Sequence, residues 1–335
     1  MNAYIKDIAY YLPEHIVSNE ELVAEFPEWS VEKIADKVGV DERRVSALDE
    51  TASDLAVKAA ESLFERGTAS REDIDFVLFC TQSPDYKLPS SACIIQDRLG
   101  LRTGCGAFDF NLGCSGYEYG LAVSKGLIAG GIARNILLLM GETYNKYIHP
   151  KDKGNRTIFG DGASATLVST EGFAEIGEFI LGTDGSGAKN LIVKSGGARH
   201  PAPMCDLTFD GGGNPVSSDH LYMDGQEIFA FTLMNVPKMV KDVLSKNQLQ
   251  KDDVDLFVFH QASKYMLEHL LKKLKIEKDR FFVNLARIGN TVSSTIPIAL
   301  CQAREKGRLK GNVLLAGFGV GLSWGATVLR ISSKP

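Results

Sequence analysis

Apolar residues recur along this chain with two different periods. Over residues 50–66 (ETASDLAVKAAESLFER) they fall at helical spacing, with Thr51 or Ser53 placed to cap the first turn. Short apolar runs of strand length follow at Phe76–Cys80, Phe108–Leu112 and Asn135–Met140. Between them Pro89 opens a helix over SSACIIQDRLGL, and Gly113–Ile128 reads as another. The runs are continuously apolar rather than alternating, so these strands are expected to be buried on both faces. Strands alternating with amphipathic helices predict an α/β protein.

The second half repeats the plan of the first. Asp73-Ile-Asp-Phe-Val-Leu-Phe-Cys-Thr-Gln-Ser83 aligns with Asp253-Val-Asp-Leu-Phe-Val-Phe-His-Gln-Ala-Ser263, 180 positions later. Phe108–Leu112 aligns with Phe281–Leu285 and Asn135–Leu139 with Asn312–Ala316, at offsets of 173 and 177. The order is kept and the offset barely drifts, which points to an internal duplication. Each half would bring a mostly parallel sheet, with ligands bound outside the carboxyl ends of the strands. Residues 183–222, rich in Gly, Ser, Pro and Asp, read as a long excursion between the halves, a natural place for a lid.

Composition removes several function classes. With 335 residues, 44% hydrophobic and 24% charged, the chain has the makeup of an ordinary globular protein. A net charge of −5 gives no general basic face for nucleic acid. The six cysteines form no CxxC pair and read as reduced thiols, which predicts a cytoplasmic protein. The N-terminus lacks the pattern of a leader peptide, and no apolar run reaches the roughly 18 residues of a membrane helix. No histidines and carboxylates stand at zinc-ligand spacing, so no metal is expected.

Three residues follow predicted strands closely enough to share a cleft. Cys114, in Asn-Leu-Gly-Cys-Ser-Gly-Tyr, sits between a strand and a helix among small neighbours. A thiol there faces the positive end of the helix dipole, which is expected to lower its pKa; the alternative is a buried structural thiol. Cys80, Cys93 and Cys301 lie in apolar contexts and read as structural. His260 ends the run Leu256–Phe259, where a cleft position competes with that of a hydrogen-bonded core histidine. His15, His149, His200, His220 and His269 read as surface residues. Asn290, in Gly-Asn-Thr, is either a turn and helix cap or an amide donor aimed at a developing oxyanion. Gly317-Phe-Gly-Val-Gly-Leu-Ser-Trp-Gly325 is not a dinucleotide loop, because a strand rather than a helix follows it.

Taken together, the segments Asn111–Tyr117, His260-Gln-Ala, Gly289-Asn-Thr with Pro297, Phe159-Gly-Asp-Gly-Ala163 and the closing loop with Trp324-Gly325 resemble the β-ketoacyl-acyl-carrier-protein synthase III family of the thiolase superfamily. The resemblance runs from about Ile5 to Ile331. It implies a thiolase-like, five-layered αβαβα fold of two halves, residues 1–172 with the nucleophile and 173–335 with the catalytic His and Asn. It also implies a homodimer whose partner chain contributes to the acyl pocket. An acyl-CoA would load Cys114, with backbone N–H groups of Cys114 and Val320 holding the oxyanion; many relatives have glycine at the second position. Malonyl-acyl-carrier protein would then lose CO₂, its enolate stabilised by His260 and Asn290, and give a 3-oxoacyl thioester. No cofactor is implied; the coenzyme A thioester is substrate.

The resemblance extends to further positions. Trp29 and Arg156 correspond to CoA-binding residues, and Met223, Gly225 and Phe229 to the pantetheine tunnel. Leu88 falls where relatives place Phe in the primer pocket, and Ser263 where the family has Asn. Lys264, Lys272 and Lys273 offer an acidic carrier protein a basic face, or are a solvated helix surface. The rival readings are a specialised relative that condenses or transfers acyl groups without decarboxylation, a non-catalytic subunit of the same fold, and a cysteine hydrolase. The retained cysteine argues against the second of these, and the glycine-rich loop against the third.

Overall fold

A computed structural model describes residues 2–332. Local signals account for where its main helices begin. Helix Ala52–Glu65 starts at a capping box: Asp54 N–H donates to Thr51 Oγ1 at 3.3 Å, and Thr51 N–H donates back to Asp54 Oδ2 at 2.7 Å. Helix Gly225–Lys246 is capped by Asp224, whose carboxylate accepts from the N–H groups of Gln226 and Glu227. Strands Phe76–Cys80 and Leu256–Phe259 occupy the predicted apolar runs. The run expected at Phe108–Leu112 pairs two residues earlier, as Gly106–Phe110, because the chain leaves the sheet at Asn111 to build a tight turn.

Ten strands are hydrogen-bonded into one continuous sheet, which doubles back so that its two halves lie on either side of the middle helices. Its order is Leu256–Phe259, Asn312–Gly319, Ser323–Ile331, Ala174–Ile176, Tyr4–Tyr11, Gly162–Ser169, Asn135–Glu142, Phe76–Cys80 and Gly106–Phe110. Ile180–Thr183 adds to Ser323–Ile331 off this path. The expectation of mostly parallel halves is corrected. Phe76–Cys80 is parallel to both its neighbours and Leu256–Phe259 to Asn312–Gly319, but the other pairs are antiparallel. Asn312–Gly319 and Ser323–Ile331 are joined only by Val320–Leu322, too short for a parallel crossover.

Successive side chains of each strand point to opposite faces, and this sorts the core into three helix layers around two sheet layers. Leu78, Cys80, Leu256 and Val258 face a middle cluster with Tyr117 and Leu121 of helix Gly116–Ala129 and Ile296 and Leu300 of helix Thr295–Glu305. Val77 and Phe79 face an outer cluster with Leu55, Ala59 and Leu63. Phe257 and Phe259 face the opposite outer cluster with Val240, Val243 and Leu270. Fully burying each such side chain contributes about 1.5–3 kcal/mol. The result is the αβαβα sandwich.

The duplication reappears in hydrogen bonds. Asn135 N–H donates to Asp75 Oδ2 at 3.0 Å, and Asn312 N–H to Asp255 Oδ2 at 2.9 Å. The Asn135 amide donates to the Asp73 carbonyl at 3.1 Å, and the Asn312 amide to the Asp253 carbonyl at 2.9 Å. Both connections lock the start of an apolar strand to its neighbour.

The excursion carries little regular structure: a 3-10 turn at Gly185–Asn190 and two small antiparallel pairs, Leu191–Ile192 with Tyr222–Met223 and Thr208–Phe209 with Pro215–Val216. Among the described residues, no helix is long and apolar enough to cross a membrane, and no group of three or more potential ligands is arranged to hold a metal ion. All six cysteines are free. Cys93, expected in the core, is exposed, because helix Ser91–Arg98 turns Ala92 and Ile95 inward instead.

Candidate active site

Cys114 lies in the turn between strand Gly106–Phe110 and helix Gly116–Ala129. The turn closes with the Gly116 N–H donating to the Gly113 carbonyl at 2.8 Å. Its glycines are steric requirements. A Cβ on Gly113 would stand 2.7 Å from Gln82 Oε1 and overlap Val320, and one on Gly116 would overlap the Cys80 sulfur. The turn is tied across the molecule to the glycine-rich hairpin: Ser115 Oγ lies 2.6 Å from Ser323 Oγ, which donates to the Val320 carbonyl at 2.9 Å. At Gly319 a Cβ would lie 2.8 Å from Cys114 Sγ, so that hairpin approaches the thiol as only glycine allows.

The Cys114 thiol is not acidified. Burial pushes its pKa up to about 12, against a backbone hydrogen bond from Val320 that pulls the other way, and buried Glu142 and Glu118 add to the rise. The expectation of a lowered pKa is therefore corrected: desolvation of the thiolate outweighs the helix dipole. The resting group is a neutral thiol. Its alkylation by iodoacetamide is expected to accelerate about tenfold per pH unit between about pH 7 and 9. A rate already flat above pH 7 would show a preformed thiolate.

His260 follows strand Leu256–Phe259 and is buried. Its backbone N–H donates to the Ala316 carbonyl at 2.9 Å, and its ring stands edge-on to Phe318 with centroids 5.7 Å apart. Nδ1 lies 2.7 Å from Thr295 Oγ1. Burial lowers the imidazole pKa to about 3, opposed by a hydrogen bond with the Val292 backbone, so the ring is neutral.

Asn290 is held by its backbone and its side chain. Its N–H donates to the Ile158 carbonyl at 2.9 Å, and its carbonyl accepts from Gly160 at 3.0 Å, forming a parallel bridge at Phe159. This explains the Phe159-Gly-Asp-Gly motif. A Cβ on Gly160 would overlap the Ile288 carbonyl, and buried Asp161 ties the segment down by accepting from the N–H groups of Ser46 and Asn145. Asn290 Oδ1 accepts from the Val292 N–H at 2.9 Å, while Nδ2 has only a long contact, 3.5 Å, to the Ala262 carbonyl. The amide is thus oriented with a donor to spare. Val292 adopts φ +54°, a left-handed conformation costly for a β-branched residue.

These three residues line one cleft of about 710 Å³, together with Met223, Gly225, Phe229 and Ser263. A second cavity of about 680 Å³, lined by Gln82, Tyr144, Tyr147, Leu221 and Val320, lies beyond Leu191, which borders both. Other predicted positions are not drawn in. Leu88 is 82% exposed and lines neither cavity. Arg156 is ion-paired with Glu25, its second guanidinium nitrogen 3.0 Å from the carboxylate. Trp29 is half-buried under Lys33, whose ammonium sits 5.1 Å from the ring centroid. Lys272 and Lys273 are exposed, and Lys264 is partly buried at the start of helix Lys264–Leu274.

His269, expected at the surface, is half-buried and stacks on Tyr265 (4.2 Å) and Phe229 (5.2 Å) beside the cleft wall. His149 and His220 face each other at 4.8 Å. Sequence reading missed Lys37 on the cleft lining, Thr295 behind His260, and Gln82 with Tyr144. Only Thr295 had a local signal, a hydroxyl residue two positions before Pro297 at a helix start.

Comparisons with known proteins bear on the chain as a whole. The family model for 3-oxoacyl-[acyl-carrier-protein] synthase III matches residues 108–185, and the model for the C-terminal part of that enzyme matches residues 244–331. The chain is 38% identical over 333 residues to a β-ketoacyl-[acyl-carrier-protein] synthase III of Clostridium perfringens, covering 98% of this chain and 99% of that one. A crystal structure of a 3-oxoacyl-(acyl-carrier-protein) synthase III superposes with a TM-score of 0.96 at 48% identity, over 99% of this chain and 100% of that one. A 3-oxoacyl-(acyl-carrier protein) synthase from Burkholderia xenovorans gives 0.91 at 36% identity, over 99% and 95%.

Proposed function

This chain belongs to the 3-oxoacyl-[acyl-carrier-protein] synthase III family, and from that premise we propose that Cys114 carries the acyl group while His260 and Asn290 promote its condensation with a malonyl thioester. The protein is an acyltransferase, a condensing enzyme that initiates fatty-acid synthesis from an acyl-CoA and malonyl-acyl-carrier protein. It needs no cofactor; coenzyme A enters as part of the substrate.

The observation that carries the residue assignment is the convergence of Cys114, His260 and Asn290 on one cleft, with the Asn290 amide oriented to donate. In loading, the Cys114 sulfur attacks the thioester carbonyl, the coenzyme A sulfur departs with the thiol proton, and backbone N–H groups of Cys114 and Val320 hold the tetrahedral oxyanion. Gly319 leaves room for that carbon beside the sulfur. In condensation, the malonyl thioester loses CO₂, and its enolate oxygen takes hydrogen bonds from His260 and Asn290. The enolate carbon then displaces the Cys114 sulfur. The test is product formation: acyl-CoA and malonyl-acyl-carrier protein together must yield a 3-oxoacyl thioester and one CO₂ per turnover. Product without CO₂ would favour the non-decarboxylating reading.

Met223, Gly225 and Phe229 wall the pantetheine arm in this reading, and Ser263 stands at its rim. Trp29 and Arg156 meet the nucleotide end, where an incoming phosphate competes with Glu25 for Arg156. We assign the open sheet edge at Gly106–Phe110, which carries exposed Phe108, together with exposed Leu88, to a second copy of the chain, so that Leu88 serves the partner's acyl pocket. We divide the chain at residue 172, just before strand Ala174–Ile176, which bonds to strands of both halves. The free thiols support a cytoplasmic setting.

Lys264, Lys272 and Lys273 receive the acidic carrier protein. Replacing Lys272 and Lys273 with Glu is expected to lower kcat/KM for malonyl-acyl-carrier protein by about tenfold and leave malonyl-CoA unchanged, since rim charges act mainly on encounter. Equal kinetics for the carrier protein before and after would assign these lysines to a solvated face.

A further inference from the structure

The loading and condensation steps ask opposite things of His260. A neutral thiol at Cys114 needs a nearby lone pair to take its proton, whereas the enolate oxygen needs a hydrogen donor. A neutral imidazole offers one or the other at Nε2, never both, and which it offers depends on the partner of Nδ1. That partner is Thr295 Oγ1, 2.7 Å away and buried. The same oxygen lies 3.0 Å from the Val292 carbonyl. One hydroxyl hydrogen therefore faces two acceptors.

Resting on the functional reading above, we propose that Thr295 is a positioning residue that decides which nitrogen of His260 carries its hydrogen, and so makes Nε2 a donor for the condensation step. When the hydroxyl points at the Val292 carbonyl, Nδ1 must carry the hydrogen and donate to Thr295. Nε2 then presents a lone pair that relays the Cys114 proton to the departing coenzyme A sulfur. When the hydroxyl turns to Nδ1, the ring hydrogen sits on Nε2 and donates to the enolate oxygen as the malonyl C–C bond breaks. Between the two steps the ring trades its hydrogen with water in the vacated cleft. After the carbon–carbon bond forms, the Cys114 thiolate recovers a proton from solvent.

Two features of the site fit this arrangement. The Val292 backbone is held in its left-handed conformation by the Asn290 side chain, which places the competing carbonyl at Thr295. Burial keeps His260 from carrying both hydrogens near neutrality. The titratable group across the cleft is Cys114, with buried Glu118 and Glu142 acting on it; Phe318 packs the ring, and no charged side chain contributes to the shift at His260.

Thr295→Val keeps the shape and removes the hydroxyl. Nδ1 is then left with the Val292 carbonyl, an acceptor, so the hydrogen stays on Nδ1 and Nε2 loses its donor. Acetyl-CoA loading of Cys114, read by intact mass, is expected to stay within about threefold of wild type. CO₂ release from malonyl-CoA by the loaded enzyme is expected to fall about 10²-fold at about pH 8, the scale of one lost oxyanion donor. Because burial holds the His260 pKa far below neutrality, an imidazolium does not restore the donor, and the loss should persist between about pH 6 and 8. Thr295→Ser should behave as wild type. Equal losses in both steps, or failure of Thr295→Ser to restore condensation, would each overturn the proposal in favour of a packing role. Wild-type loading in the same experiment separates the two levels: if wild-type Cys114 takes no acyl group, the functional reading fails and this inference with it.

Discussion

Cys114→Ala is expected to take up no acyl group from acyl-CoA and to lose condensation by about 10³-fold or more, the scale seen when a covalent nucleophile is removed. The size follows from the site. The variant keeps the cleft, the Val320 N–H and the Asn290 amide, but none of these can hold a substrate covalently between two half-reactions. No other thiol can substitute: Cys80 is buried with its sulfur 3.0 Å from the Leu112 carbonyl, and burial raises its pKa well above the usual thiol range. Cys301 is buried against the Ile8 carbonyl at 3.4 Å. Labelling that persists in Cys114→Ala would move the nucleophile elsewhere.

Asn290→Ala is expected to slow CO₂ release from the malonyl thioester by about 10²–10³-fold while changing acyl loading only a few-fold. The asymmetry arises because the amide donor serves the enolate, which exists only in the second half-reaction. The Asn290 backbone bonds to Ile158 and Gly160 survive the substitution, so the cleft keeps its shape. The Val292 N–H loses its Oδ1 partner, and a modest effect on His260 through Val292 accompanies the main one. Rapid-mixing measurement of the two half-reactions separates them. Equal slowing of both would deny Asn290 its enolate role.

Much of the architecture was legible before any coordinates. Phe76–Cys80 and Leu256–Phe259 stand out because each is a short apolar run preceded by aspartates, and the 180-position offset between them reflects a repeated unit. Pairing direction was less legible, since apolar runs look alike in parallel and antiparallel ladders; only the brevity of Val320–Leu322 betrays the hairpin. The three catalytic candidates were found because each follows a predicted strand in a small-residue or polar motif, although the run Phe281–Leu285 before Asn290 forms only a single bridge, Phe281 to Phe257, and then turns away from the sheet.

Their electrostatics were not legible. The helix-dipole rule concerns the first turn of one helix, whereas the Cys114 pKa is set by how thoroughly distant segments such as Gly319 and Val320 cover the sulfur. Partners far apart in sequence were equally hidden. Arg156 meets Glu25 across 131 positions, and His260 meets Thr295 across 35, with no periodicity to announce either. The Phe159-Gly-Asp-Gly motif was visible as a pattern, but its task of clamping the Asn290 backbone needed the fold.

In the proposed reaction one thiol holds the acyl group and surrenders it to a decarboxylated malonyl unit. Time-resolved intact-protein mass spectrometry tests it most directly, with wild-type enzyme charged by acyl-CoA and then mixed with malonyl-acyl-carrier protein. One acyl mass per chain is expected, mapped by peptide analysis to Cys114, and it should disappear as 3-oxoacyl product and CO₂ appear in equal amounts. An acyl group on another residue, or one on Cys114 that persists while product forms, would contradict it.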